Sequence, residues 1–183
     1  MRIPAKPKST VSLGLPKGTA TISAYSANWP VRFQEEKARL ESALAEYAIR
    51  VFHIGSTSIP DLDSKPVIDI AVSLGAPIRT DVLIAVFNAL GYTDHRPREA
   101  DGYPWFEYGR DVSYYQVYVF TAKSRELDRH LKFCEILSGD RALRDAYLAL
   151  KTDASGRFQK APDMYAQHKA AFINDVLQGN VNG

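Results

Sequence analysis

The chain has 183 residues, 45% of them apolar and 24% charged, with a formal net charge of +2. That length leaves room for one hydrophobic core, and the composition, with 10 Tyr, 8 Phe and 2 Trp, excludes a disordered or collagen-like chain. A lone cysteine, Cys134, rules out an internal disulfide, and no apolar run reaches the roughly 18 residues needed to span a bilayer, so a cytoplasmic protein with no membrane partner is expected.

Charge is unevenly spread. Residues 1–34 carry Arg2, Lys6, Lys8, Lys17 and Arg32 and no acid, which leaves the rest of the chain slightly acidic. A nucleic-acid partner is therefore not expected, because a binding face should be basic on the folded body. Residues 1–22 read as a flexible basic leader, without the apolar core of a signal peptide, and residues 23–179 as one domain.

In chain order, Asn28-Trp29-Pro30 opens a helix over 29–47, with Asn28 as cap and Phe33, Leu40, Leu44 and Tyr47 at helical spacing. Segments 49–54 and 66–74, rich in Val and Ile, read as strands joined by a turn-rich stretch. Thr80-Asp81 caps a helix that Gly91 stops. Segments 105–108 and 113–120 form a hairpin about Gly109-Arg110-Asp111, and from Ser124 onward three helical patterns follow, the last after Pro162. This order predicts an α+β fold, a small mixed sheet with helices packed against it and a C-terminal helical layer.

The chemistry is concentrated in His53-Ile54-Gly55-Ser56-Thr57-Ser58-Ile59-Pro60 and, after it, Lys65-Pro66-Val67-Ile68-Asp69-Ile70. A strand delivers a glycine and three hydroxyls to its end. Glycine lets the backbone approach an anion, and Ser56, Thr57 and Ser58 add donors, although the same residues also serve ordinary turns. Asp69 is a carboxylate inside an apolar strand, where it either ligates Mg²⁺ together with substrate phosphates or pairs with Lys65. His53 is placed to orient the turn as a neutral imidazole. Arg129 and His130 open a later helix and either meet phosphate or face solvent. Tyr114, Tyr115 and Tyr118 either pack the sheet or stack on a base, and Cys134 reads as a core residue.

These two motifs resemble the signature of the GrpB proteins, a group within the nucleotidyltransferase superfamily. The likeness runs from Tyr25 to about Leu177 and takes in Trp29-Pro30, Gly91-Tyr92, Arg129-His130-Leu131, Tyr147 through Lys151, and Lys169 with Phe172. In that superfamily a Gly-Ser pair precedes an Asp-x-Asp/Glu motif by about a dozen residues, and here 12 residues separate Ser56 from Asp69. The resemblance implies binding of a nucleoside triphosphate, ATP, with Mg²⁺, and transfer of a nucleotidyl group to a small-molecule acceptor. It assigns Asp69 and Ser56 to catalysis, Asp69 to the metal, and Gly55, Ser56, Thr57, Ser58, Lys65, Arg129 and His130 to the nucleotide. Three departures stand out. Ala71 occupies the place of the second carboxylate, Gln116-Val117-Tyr118 stands where the family commonly has His-x-His or Asn-x-His, and Asp61 and Asp63 add acid beside the turn. Either acid could complete the metal site or face solvent. An inactive nucleotide-binding or regulatory module, and an ATP-dependent ligase working through adenylation, remain as alternatives.

Overall fold

The computed structural model describes residues 13–95, 102–158 and 162–180; most of the expected leader, residues 1–12, lies outside them. Helix α1 spans Asn28–Ala43 and buries Trp29, Phe33, Glu36 and Leu40. Asn28 is its first residue rather than its cap. Ser26 does that work, its hydroxyl accepting the Asn28 N–H at 3.3 Å and its carbonyl the Trp29 N–H at 3.0 Å. The helix also ends short of 47, because Ala45–Tyr47 tightens into one 3₁₀ turn and Ala48 adopts a left-handed φ of 47°, which swings the chain into strand β2, Arg50–Ile54.

Strand β3, Ile68–Leu74, follows, then helix α2, Thr80–Ala89. The expected Thr80-Asp81 cap is replaced by Arg79 at the N-cap without a side-chain bond, and Asp81 instead accepts a hydrogen bond from Arg79 Nε at 3.1 Å. Beyond Gly91 the chain enters β4, Tyr92–His95, a strand that sequence pattern does not signal. Next come β5, Trp105–Tyr108, the short β6, Val112–Ser113, and β7, Tyr115–Thr121. Helices α3, Arg125–Gly139, α4, Arg141–Arg157, and α5, Pro162–Gln178, complete the helical layer. Ser124 and Asp140 cap α3 and α4 by accepting the N–H of Leu127 and Leu143. Among the described residues no helix is long and apolar enough to cross a membrane.

The main sheet runs β2-β3-β7-β5-β4, with β3 and β7 parallel and the other pairs antiparallel. Alternation along each strand gives it two unlike faces. One face carries Ile68, Ile70, Val72, Val117, Val119 and Phe106 against α1 and α2, with Phe87 stacked on Phe106 at 3.8 Å between ring centres. On the other face Ile54, Ala71 and Phe120 meet Leu127 of α3, while α3–α5 form their own core around Phe133, Leu137, Leu143 and Tyr147.

Residues 13–22, which the sequence places in the leader, pack on the body. Strand β1, Leu15–Pro16, pairs antiparallel with β6, and Ala20 is fully buried against Ala154. A carboxylate partner for Lys17, described below, adds a charged tie to the same segment.

Candidate functional site

Register places the chemistry. Asp69 on β3 sits beside Gln116 on β7, and Gln116 beside Glu107 on β5, so all three point to the face that α1 and α2 leave open. Tyr118, Trp105 and His95 form the neighbouring row. This floor lies under a cleft of two lobes. The polar lobe, about 430 Å³, is walled by Lys17, Lys65, Lys151, Lys169, Glu107 and His95. The second lobe, about 390 Å³, runs under the helical layer and is lined by Gly55, Arg129, His130, Phe133, Tyr147 and Ile173. Ser56, Asp69, Tyr118 and Lys169 line both, so the junction of the lobes is where the two sequence motifs meet.

The turn that brings them together is built by its own side chains. Gly55 has φ 69° and ψ −174°, and a Cβ there would collide with the Asp69 carboxylate; glycine is what lets strand end and acid come so close. Ser58 Oγ donates to the Gly55 carbonyl at 2.6 Å and lines neither lobe, which sets it behind the turn. His53 Nε2 lies 3.0 Å from the hydroxyl of the buried Thr57, and its ring stacks on Phe33 at 4.7 Å. Burial pushes the imidazole down to about 4, so it orients the turn in its neutral form. Of the three hydroxyls, Ser56 is the one presented at the junction.

The added acids serve structure. Asp63 Oδ1 accepts the Tyr25 N–H at 2.9 Å, and Asp61 is exposed with a left-handed φ of 62°. Neither lines a lobe. The tyrosines divide: Tyr115 is buried in the core, whereas Tyr118 faces the cleft, its ring 6.5 Å from that of His130 and its hydroxyl donating to Gln116 Oε1 at 3.1 Å. Arg129 donates to Asn174 Oδ1 at 2.7 Å, which ties the expected phosphate-binding pair to α5. Cys134 borders the second lobe, its sulfur 3.4 Å from Ser58 Oγ, and burial raises its thiol pKa.

Several lining residues lie outside the sequence motifs. Lys17 Nζ pairs with Glu107 Oε2 at 2.8 Å. Burial would lift the Glu107 pKa, but the hydrogen bonds of Lys17, Ser113 and Gln116 together with the Lys17 charge outweigh it and hold the carboxyl below its usual range. Lys151 is 1% exposed and donates to the Asp63 carbonyl at 2.6 Å and the Ser64 hydroxyl at 3.0 Å. Burial, and then the like charge of Lys169, lowers Lys65 to about 8 and Lys151 to about 7.

Among the described residues no group of three or more His, Cys, Asp or Glu side chains could hold a metal. Ala71 is fully buried and Glu107 is engaged by Lys17. Asp69, with the Ser56 hydroxyl and Gln116 amide on the same cleft floor, is a donor set suited to one Mg²⁺ that arrives with phosphate oxygens and its own waters. It does not suit a pair of ions, which calls for several carboxylates.

The mixed sheet, with a Gly-Ser turn beside an acid on the adjoining strand, has a nucleotidyltransferase-like fold, as comparison with solved structures shows. The Cid1 poly(U) polymerase bound to MgATP is similar over 71% of this chain and 43% of its own, with a TM-score of 0.52 at 14% identity, a likeness of fold alone. The chain belongs to the GrpB protein family, whose profile matches residues 19–179. The crystal structure of GrpB from Enterococcus faecalis resembles it with a TM-score of 0.80 and 29% identity over 87% of this chain and 96% of that one. The UPF0157 protein BH1888 of Halalkalibacterium halodurans is 31% identical over 162 residues, 86% of this chain and 80% of its own length.

Proposed function

We propose that the protein binds ATP with Mg²⁺ in this cleft and transfers the nucleotidyl group to a small-molecule acceptor, in the cytoplasm and without nucleic acid or membrane as partner. The observation that carries the reading is the convergence of Gly55, Ser56 and Asp69 at the junction of two lobes, each large enough for a small ligand. Phosphate oxygens lie beside the turn that Gly55 opens, and the Ser56 hydroxyl donates to them. Arg129, His130 and Lys169 offset their charge from the helical side, whereas Lys65, expected with them, lines only the polar lobe, and the Thr57 and Ser58 hydroxyls hold the turn in shape. Asp69 would hold a Mg²⁺ carried by the triphosphate, and such an ion neutralises charge on the phosphate oxygens. The acceptor oxygen attacks the α-phosphorus as the bond to pyrophosphate breaks, with the acceptor proton passing to solvent. Positioning and charge stabilisation supply most of what such a displacement needs.

A second reading, a nucleotide-binding module without turnover, is favoured by Ala71, which packs with Ile54, Phe120 and Leu127 and leaves no second carboxylate on β3. Incubation with α-labelled ATP, Mg²⁺ and a metabolite mixture separates the cases. Label on an acceptor supports transfer, retained bound ATP supports the module, and release of AMP with an amide product supports a ligase that works through adenylation. Absence of any Mg-ATP binding by calorimetry rejects all three.

A further inference from the structure

We infer that the polar lobe is the acceptor subsite and that it selects an acceptor bearing a phosphate monoester, held by Lys17, Lys65 and Lys151. The inference rests on the nucleotide reading above, which puts the triphosphate at Gly55 and hence in the lobe under the helices, the one that Gly55 lines. That lobe also holds the aromatic and apolar walls, Phe133, Tyr147 and Ile173, suited to a nucleoside. The polar lobe is built differently. Four ammonium groups, Lys17, Lys65, Lys151 and Lys169, face two carboxylates, Asp69 and Glu107, a formal surplus of two positive charges in a concave, partly desolvated space. A dianion matches that surplus, whereas a cationic acceptor would meet repulsion.

Lys151 makes the argument more than a count. Its ammonium is buried, and both of its hydrogen-bond acceptors, the Asp63 carbonyl and the Ser64 hydroxyl, are neutral. An ammonium has three N–H groups and is expensive to bury, and the Asp63 carboxylate does not offset the burial and the repulsion from Lys169, so an anion in the lobe would meet both needs. His95 supports the same assignment. It borders the lobe, and its buried Nε2, 3.4 Å from Glu107 Oε2, makes no hydrogen bond among the described residues, so a ligand hydroxyl would find a partner there. The Lys17–Glu107 pair, at 2.8 Å, stands at one wall, where Glu107 competes with the ligand for Lys17.

The test uses three probes of one shape and different charge, phenyl phosphate, benzoate and benzylammonium. Each is titrated into the whole protein with and without α,β-methylene-ATP and Mg²⁺, and read by calorimetry and by the fluorescence of Trp105, which lines the lobe. Phenyl phosphate is expected to bind about tenfold tighter than benzoate, benzylammonium not at all, and phenyl phosphate and the nucleotide analogue together. Lys17→Met should weaken phenyl phosphate roughly fivefold and leave the analogue's affinity within about twofold. Glu107→Gln, which keeps shape and removes the competing charge, should tighten phenyl phosphate several-fold, a gain that a purely structural role for these residues would not produce. Preference for benzylammonium, competition between phenyl phosphate and the nucleotide analogue, or indifference to both substitutions would overturn the assignment. Lysine-dependent phosphate binding without any nucleotide binding would defeat the transferase reading and leave an anion site standing. Nucleotide binding without phosphate binding would do the reverse.

Discussion

The two faces of the central sheet come from the same strands and meet opposite demands. On the α1 and α2 side, Ile68, Ile70 and Val72 of β3 and Val117 and Val119 of β7 are buried and apolar without interruption. One residue out of step, Asp69, Gln116, Tyr118 and Glu107 occupy the other face, where only the end beneath α3 is sealed by apolar packing. Stability is concentrated on one side, and the other can carry charge that would be ruinous in a core. Function therefore rests on the alternation of the strand, and a neighbour in sequence is not a neighbour in role.

The sharpest way to break that contrast is to change adjacent residues of β3. Ile70→Ala should lower the unfolding free energy by about 2–5 kcal/mol in urea titrations, the range for emptying a packed site. Asp69→Asn should shift it by less than about 1 kcal/mol while removing stabilisation by Mg-ATP in thermal unfolding. Equal losses of stability in the two variants would erase the distinction between the faces.

His53 tests the sealed face with a titratable group, since it pairs across β2 and β3 with Ile70. Its folded pKa of about 4 lies below the ordinary 6.5. The unfolded chain therefore takes up the proton first. The stability tied to the neutral ring is whole above pH 6.5 and is lost as pH falls toward 4, roughly 3 kcal/mol across that window. Denaturant midpoints measured from pH 7 to 4 should show the slope in the wild type and a shallower one in His53→Gln; parallel curves would mean that the ring is not buried neutral.

A smaller effect is expected at the hinge between the faces. Gly55→Ala places a side chain in a backbone region that is nearly glycine's alone, at about 1–3 kcal/mol, and drives its Cβ into Asp69. Stability and Mg-ATP affinity should fall together, unlike the separation expected for Asp69→Asn. Unchanged nucleotide affinity by calorimetry would show that the turn does not approach the ligand.

Strong periodicity made most of the fold legible. The Val- and Ile-rich strands, the hairpin and the three late helices follow from spacing alone, and Gly55, Ser56 and Asp69 were legible because two consecutive strands carry them. Strand β4 escaped because Thr93 and Asp94 are exposed on a four-residue edge strand, leaving Tyr92 as its one buried residue. The place of Lys151 and Lys169 in the cleft escaped for another reason, although the family resemblance takes in both residues. Lys151 and Lys169 sit on helices where a lysine ordinarily faces water, and nothing local distinguishes them from such residues. Tertiary packing selects them: α4 carries Lys151 onto the Asp63-Ser64 turn and α5 carries Lys169 to the cleft. Glu107 gains its role from a partner, Lys17, far back in the chain.

That distance has a kinetic consequence. Lys17 enters the cleft from the turn after β1 and Lys169 on α5, so the polar lobe closes only after segments far apart in sequence have found each other. Contacts of such separation form late, because the chain between them must first lose its freedom. During synthesis the sheet can assemble while α5 is still being made, and ligand competence arrives as a closing event. Ligands that engage Lys17 in the polar lobe and Lys169 at the junction would then staple the last-formed part of the molecule and slow its reopening.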